Sequence, residues 1–188
     1  MRKRIGKIMT SLRPVLIALA ILMVVFTATH LLPIPGSLSD VVAAAGGQAI
    51  LDQQPAFSTE EIYQRLDAFG QTGRELYKWF LVTTDVIFPL SLLAFLFLLA
   101  RYTSQRLASP PALGRALVVL PFAFFTLDMI ENLSIFQMLS DYPERHQLTG
   151  RILGYVTVAK RLSLYAAVLL PLALFLFAGI RWLRRRPS

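Results

Sequence analysis

Four stretches of the chain are almost continuously apolar, at 14–32, 79–100, 116–139 and 162–180. Each reaches the roughly 20 residues that a helix needs to cross about 30 Å of hydrocarbon. The apolar runs are unbroken rather than alternating, which selects helices over barrel strands. The expected architecture is all-α: a four-helix transmembrane bundle in a single membrane domain, with one long connection at 33–78. Pro33, Pro35 and Gly36 end the first helix sharply. The stretch Ser37–Ala56 is small, polar and Gly-containing, and reads as loosely ordered. Beyond it, Ser58-Thr59-Glu60-Glu61 has capping-box spacing, and Ile62, Leu66 and Phe69 fall on one stripe. This predicts a short amphipathic helix over 59–69, either anchored on the bilayer surface or closing the bundle as a lid.

Composition supports the membrane class. Of 188 residues, 55% are hydrophobic and only 16% charged, with a mean hydropathy of +0.58. Such a balance excludes an ordinary soluble domain. Cysteine is absent, so disulfides and thiolate chemistry are excluded too. The net charge of +8 would suit nucleic acid, but its placement suits a membrane better. The N-terminal tail, the 101–115 link and the C-terminus hold twelve of the 19 basic residues and no acid. The other two connections hold Arg65, Arg74, Lys78, Arg145, Arg151, Lys160 and Arg161 against eight acids. That asymmetry predicts cytoplasmic termini, and hence a multi-pass protein of a bacterial inner membrane whose basic tails meet anionic lipid, not nucleic acid. The basic start and the small residues Ala43–Ala45 resemble a signal peptide. The length of the apolar run, and the distance from its end to those residues, favour an uncleaved anchor helix.

The acids inside the apolar runs mark where chemistry would lie: Asp85 in the second, Asp128 and Glu131 in the third. A carboxylate in hydrocarbon is costly enough to require a partner, a cavity or a substrate. Asp128, Glu131 and Asn132 share one helix face by their i, i+3, i+4 spacing. At 1.5 Å per residue, Asp85 lies roughly 9 Å below the outer edge and the Asp128–Asn132 face roughly 10–17 Å below it. Lys160 and Arg161 begin the fourth run at its outer end, and His30 closes the first there. The expected site therefore gathers Asp85, Asp128 and Glu131 as candidate acid/base or ligand-binding groups. Asn132, Lys160, Arg161 and His30 support them. Pro89 withdraws the helical donor from the carbonyl of Asp85, so that stretch offers a backbone oxygen beside a carboxylate. Pro121 and Pro171 mark kink positions in the third and fourth runs. Tyr77, Trp79 and Phe80 at the outer end, with Tyr102 and Trp182 at the inner end, fit aromatic belts.

Other chemistries lack support. No spacing of His and carboxylates suggests a metal, and none is expected. Ser91, Ser134 and Ser163 lie on helices without a nucleophile elbow. No phosphate loop or dinucleotide fingerprint is present, and no cofactor is expected.

The chain resembles a family of small bacterial inner-membrane proteins of unassigned function. The likeness runs from about Tyr63 to Lys160. It rests on Leu66-Asp67-Ala68-Phe69-Gly70, Gly73-Arg74-Glu75-Leu76-Tyr77, Asp85-Val86-Ile87-Phe88-Pro89, Asp128-Met129-Ile130-Glu131-Asn132, Tyr142-Pro143 and Lys160. It implies a topology and no reaction. A looser likeness is to the EXPERA-type four-helix membrane proteins, which include sterol isomerases and receptors with acidic residues facing a lipid-accessible pocket. It rests on the long first connection and on Trp79–Phe80, Asp85 and Phe88-Pro89 in the second run. No complete catalytic motif matches, so no catalytic residue follows from it.

Two readings of function stand at this point. One is a pocket for a lipid-like or isoprenoid amphiphile in the outer half of the bilayer, bound or turned over by acid/base chemistry. The other is a non-enzymatic membrane subunit, docking a protein partner, whose polar cluster is an interhelical clasp. A proton or ion path is disfavoured, because the inner halves of the runs carry no acid or base to relay charge.

Overall fold

The computed structural model describes residues 11–107 and 110–184, and among these every regular element is a helix. Arg2, Lys3, Arg4, Lys7, Arg185 and Arg186 of the basic tails lie outside the described residues. So do the side chains of Arg181, Trp182 and Arg184. Helix α1 covers Arg13–Phe26 and continues as a π-helical turn over Thr27–Leu31. Two short helices follow, α2 at Leu38–Ala44 and α3 at Thr59–Ala68. Next come α4 at Gly70–Val82, α5 at Thr84–Arg106, α6 at Pro111–Ser140 and α7 at Gln147–Arg184. Among the described residues, four helical segments are long and apolar enough to cross a membrane: Arg13–Leu31, Gly70–Arg106, Pro111–Ser140 and Gln147–Ala178.

Two spans are longer than hydropathy alone suggests. The second begins at Gly70 rather than near 79, and it is broken at Thr83 into α4 and α5. The fourth begins at Gln147, so Lys160 and Arg161 lie well inside α7 and do not open it. Polar residues such as Arg151 and Lys160 hide that extension in a hydropathy profile. In the folded chain Arg151 lies on an exposed face of α7 and Lys160 on its buried face. Helix α7 has 38 residues and α6 has 30. At 1.5 Å per residue both exceed the roughly 30 Å of hydrocarbon.

The surplus length builds a packed head at the end of the bundle that carries the 32–69 connection. The stretch Ser37–Ala56 is ordered there, contrary to its polar appearance. Ser37 caps α2 by accepting the Asp40 amide, and Val41, Ala45, Ile50, Leu51 and Ala56 are buried. Ser58 caps α3 by accepting the Glu61 amide at 3.2 Å, and Glu61 accepts the Phe57 amide in return. The apolar side of α3, with Ile62, Tyr63 and Leu66, is buried in the same core. Tyr77 and Phe80 are buried there as well, at 0% and 1% exposure, so they are core residues and not members of an aromatic belt. Trp79 points outward from the same turn.

Close approach to α7 requires its glycines. A Cβ on Gly154 would collide with the Ala56 carbonyl oxygen, and one on Gly150 with Thr59. A second, smaller core of Leu22, Leu92, Leu96, Phe124 and Ala167 fills the rest of the bundle. Helix α1 lies along α5 and α7 along α6, while α1 and α7 scarcely meet. Between the two apolar cores lies a polar layer.

Candidate functional site

Lys160 is the hub of that layer. Its ammonium touches carboxylate oxygens of Asp52, Asp128 (3.1 Å) and Glu131. Asp52 accepts a hydrogen bond from it, and Asp128 and Glu131 are ion-paired with it. Glu131 is fully buried, and its second oxygen accepts the hydroxyl of Thr157, one turn before Lys160 on α7. Helix geometry brings these groups together. Asp128 and Glu131 share a face of α6, Thr157 and Lys160 share a face of α7, and the two helices pack closely.

Asp85 enters from α5. The backbone break at Thr83 starts a new helix, so Asp85 falls in its first turn, where unpaired amides and the helix dipole favour a negative charge. Thr84 ties the break to the 32–37 turn through its hydroxyl, which donates to the Gly36 carbonyl at 2.6 Å. Asn132 donates its side-chain amide to the Asp85 carbonyl at 3.1 Å, linking α6 to α5. Oδ2 of Asp85 and Oδ2 of Asp128 are buried without a hydrogen-bond partner among the described residues.

The roof is a turn of the connection at Ala49–Gln54. Arg65 of α3 donates to the carbonyls of Ala49, Ile50 and Gln54, and Arg161 of α7 to those of Asp52 and Gln53. Two guanidinium groups thus satisfy the turn's carbonyls and press Ile50 and Leu51 into the head core. Asp52 hangs from this turn onto Lys160. Burial pushes its carboxyl up, but the Lys160 ammonium beside it, a hydrogen bond with Glu131 and the charge of Arg161 together hold it below the ordinary value.

Beside the layer opens a cavity of about 290 Å³. Its polar end is formed by Asp52, Asp85, Asp128, Lys160, Arg161 and His30, and its apolar wall by Phe88, Pro89, Leu92, Phe124 and Leu164. It faces the gap between α1 and α7, where Tyr165 lines it and is exposed. His30 rides on the π-helical turn of α1. Its ring stacks on Phe26 and meets Phe88 edge-on at 4.4 Å, and its Nδ1 is 2.7 Å from the Thr29 hydroxyl.

All seven residues singled out from the sequence meet in this region. Asp85, Asp128, Lys160, Arg161 and His30 reach the cavity, while Glu131 and Asn132 lie behind its wall. Helix α3 contributes nothing to the wall; the roof is the 49–54 turn instead. Sequence reasoning missed Asp52, Gln53 and Thr157. The only sequence signal for the roof was the Ile50-Leu51 pair in a polar stretch, directly before an acid. With Asp52 in place, three carboxylates bring one oxygen each within 4.8 Å of one another, a spacing that could hold a cation. The ammonium of Lys160 serves as that cation here.

Compared with known proteins, no family model matches the chain, and no curated protein or solved structure matches it significantly.

Proposed function

We propose that this chain is a multi-pass protein of a bacterial inner membrane that binds a lipid-like amphiphile in the cavity between α1, α5, α6 and α7. The observation that carries the reading is the cavity itself. One end is carboxylate and ammonium, the other is hydrocarbon, and its open side lies where two helices fail to touch. An amphiphile in a bilayer can enter such a slot sideways without leaving the membrane. Exposed apolar side chains at the same level, Ile87 on α5, Ile130 and Leu133 on α6 and Leu31 on α1, support a position of the polar layer within hydrocarbon. The excess of basic residues at the opposite end supports cytoplasmic termini, and so an opening toward the outer leaflet.

The polar layer then divides its labour. Lys160, Glu131, Thr157 and Asp52 form a clasp that closes the head on the bundle. Asp85 and Asp128 form the wall that meets the ligand. The segments Asp85–Pro89 and Asp128–Asn132 supply the wall and, of the clasp, Glu131. Asp128 keeps one oxygen on Lys160 and the other without a partner, so it is the group available for acid/base work on a bound molecule, with Asp85 beside it.

The test is retention of native lipid. Wild-type protein extracted gently should carry a stoichiometric amphiphile, identified by mass spectrometry of the organic extract. Asp85→Asn with Asp128→Asn should lose it while remaining folded, and Glu131→Gln should keep it. Equal lipid content in all three proteins would refute the reading.

A further inference from the structure

Resting on that reading, we infer that His30 is a hydrogen-bond acceptor that positions the ligand, and that the ligand presents a hydroxyl group to it. The Thr29 hydroxyl has one hydrogen and two close neighbours, the Val25 carbonyl at 2.8 Å and Nδ1 of His30 at 2.7 Å. A carbonyl oxygen can only accept, so the hydroxyl hydrogen goes to Val25. The Thr29 oxygen then accepts from Nδ1, which carries the ring proton. The opposite assignment would set two acceptors 2.8 Å apart with no hydrogen between them. Neither nitrogen of the ring takes part in an ion pair among the described residues. An imidazolium here would be a half-buried, unpaired charge against Phe26 and Phe88, so the ring is neutral. In a neutral ring with its proton on Nδ1, Nε2 is a bare lone pair.

That lone pair is available to a ligand. His30 lines the cavity, and its Nε2 makes no hydrogen bond among the described residues. The partner of one ring nitrogen decides the role of the other, and here Thr29 is that partner. Both residues ride on the π-helical turn over Thr27–Leu31, a rare geometry that recurs at functional sites. The same cavity wall also carries donors. They are the Gln53 amide, the Tyr165 hydroxyl and the nitrogens of Arg161 beyond the one bonded to the Asp52 and Gln53 carbonyls. A hydroxyl matches both kinds of group, because it donates once and accepts as well. An ether or ester oxygen only accepts and leaves Nε2 without a partner. A primary ammonium only donates and leaves the wall's own donors unmatched. Such a hydroxyl belongs either to a free long-chain alcohol or to the glycerol head of a phospholipid.

Two measurements on the full chain in phosphatidylcholine nanodiscs, with empty nanodiscs as background, separate the acceptor from the pocket. The chain has two histidines, so isotope-labelled histidine gives two ring systems, and His146→Asn assigns them. Solid-state nitrogen spectra at neutral pH should show His30 protonated on Nδ1 and bare on Nε2, with the Nε2 resonance moving when dodecanol is added. A proton on Nε2, in a neutral or a charged ring, overturns this inference and leaves the pocket reading standing. In equilibrium binding, dodecanol should exceed both its methyl ether and dodecylamine by about fivefold, the worth of one ordinary hydrogen bond. Thr29→Val keeps the side-chain shape, and His30→Phe keeps a ring in the stack. Each should lower dodecanol to the affinity of the ether and leave the ether unchanged, and Thr29→Ser should restore the preference. Phosphatidylglycerol added to the nanodisc decides the source. Displacement of dodecanol identifies a glycerol head, and its absence a free alcohol; either result supports a hydroxyl site. Ether or amine binding as tight as dodecanol overturns the hydroxyl assignment, as does an unchanged preference in both folded variants. Binding of none of the three overturns the pocket reading and this inference together.

Discussion

The side-chain amide of Asn132 donates to the backbone carbonyl of Asp85 at 3.1 Å. Pro89 has no N–H to offer that carbonyl, so Asn132 takes the place of the missing helical donor. The proline frees an oxygen on α5, and the asparagine on α6 uses it to fix the neighbouring helix. Asp85 is thereby held at both ends of its residue. The Thr83 break sets where its helix starts, and Asn132 sets where its carbonyl points. A carboxylate positioned by its own backbone in this way need not spend its side-chain oxygens on structure.

Replacing Asn132 by Leu keeps the volume and removes the donor. The Asp85 carbonyl is then buried without a partner, which costs about 1–3 kcal/mol. Asn132→Asp should be worse, because an acceptor then faces an acceptor. Reversible unfolding in mixed micelles checks both, and the order wild type, Leu, Asp is the expected ranking.

Lys160 offers a larger effect. Lys160→Met leaves three carboxylates facing one another without the ammonium that bridges them, a loss of about 3–5 kcal/mol for a broken buried pair. Glu131→Gln alone should cost far less, and combined with Lys160→Met it should recover part of the loss. A double-mutant cycle measured by the same unfolding assay gives the coupling directly.

The roof should respond to acid. Asp52 has a carboxyl held below its ordinary value of 3.8, because burial, the largest single influence, is outweighed by the Lys160 ammonium together with its hydrogen bonds and the charge of Arg161. A carboxyl lowered on folding stabilises the fold fully above the unfolded value, and that stabilisation is lost as pH falls through the folded one. The 49–54 turn should therefore stay protected from hydrogen exchange at neutral pH and open below about pH 4. Asp52→Asn should weaken protection at neutral pH and abolish the acid-dependent step.

Gly154→Ala tests the head. The added methyl group meets the Ala56 carbonyl oxygen, which is backbone and cannot rotate away. Overpacking of this kind costs about 1–3 kcal/mol. Proteolysis of the 45–57 segment should quicken while the span helices remain protected, as judged by limited digestion in micelles.

Much of this was visible in the residues, and what was hidden has physical reasons. The four apolar runs and the shared face of Asp128, Glu131 and Asn132 follow from period and length. Asp52 could not be placed, because an acid in a polar connection carries no periodicity to say which way it points. Thr157 lay outside the expected fourth span, whose start was obscured by Arg151, Lys160 and Arg161. Those residues interrupt hydropathy without interrupting the helix. The spacing of Gly150 and Gly154 was the available sign that α7 extends further and lets another backbone approach. Tyr77 and Phe80 read as belt residues because aromatics near a span end look alike whether they face lipid or a folded head.

The most direct measurement follows a hydrocarbon chain into the cavity. The native chain has no cysteine, so single-cysteine variants can carry a bimane fluorophore at one chosen position. Leu164 lines the cavity, while Leu169 on the same helix is 60% exposed and does not line it. Quenching by a chain-brominated phospholipid in nanodiscs should saturate at low mole fraction at Leu164→Cys, and should rise only in proportion to bulk concentration at Leu169→Cys. Asp85→Asn should convert the first curve into the second. Superimposable curves at the two positions would contradict a chain-binding cavity.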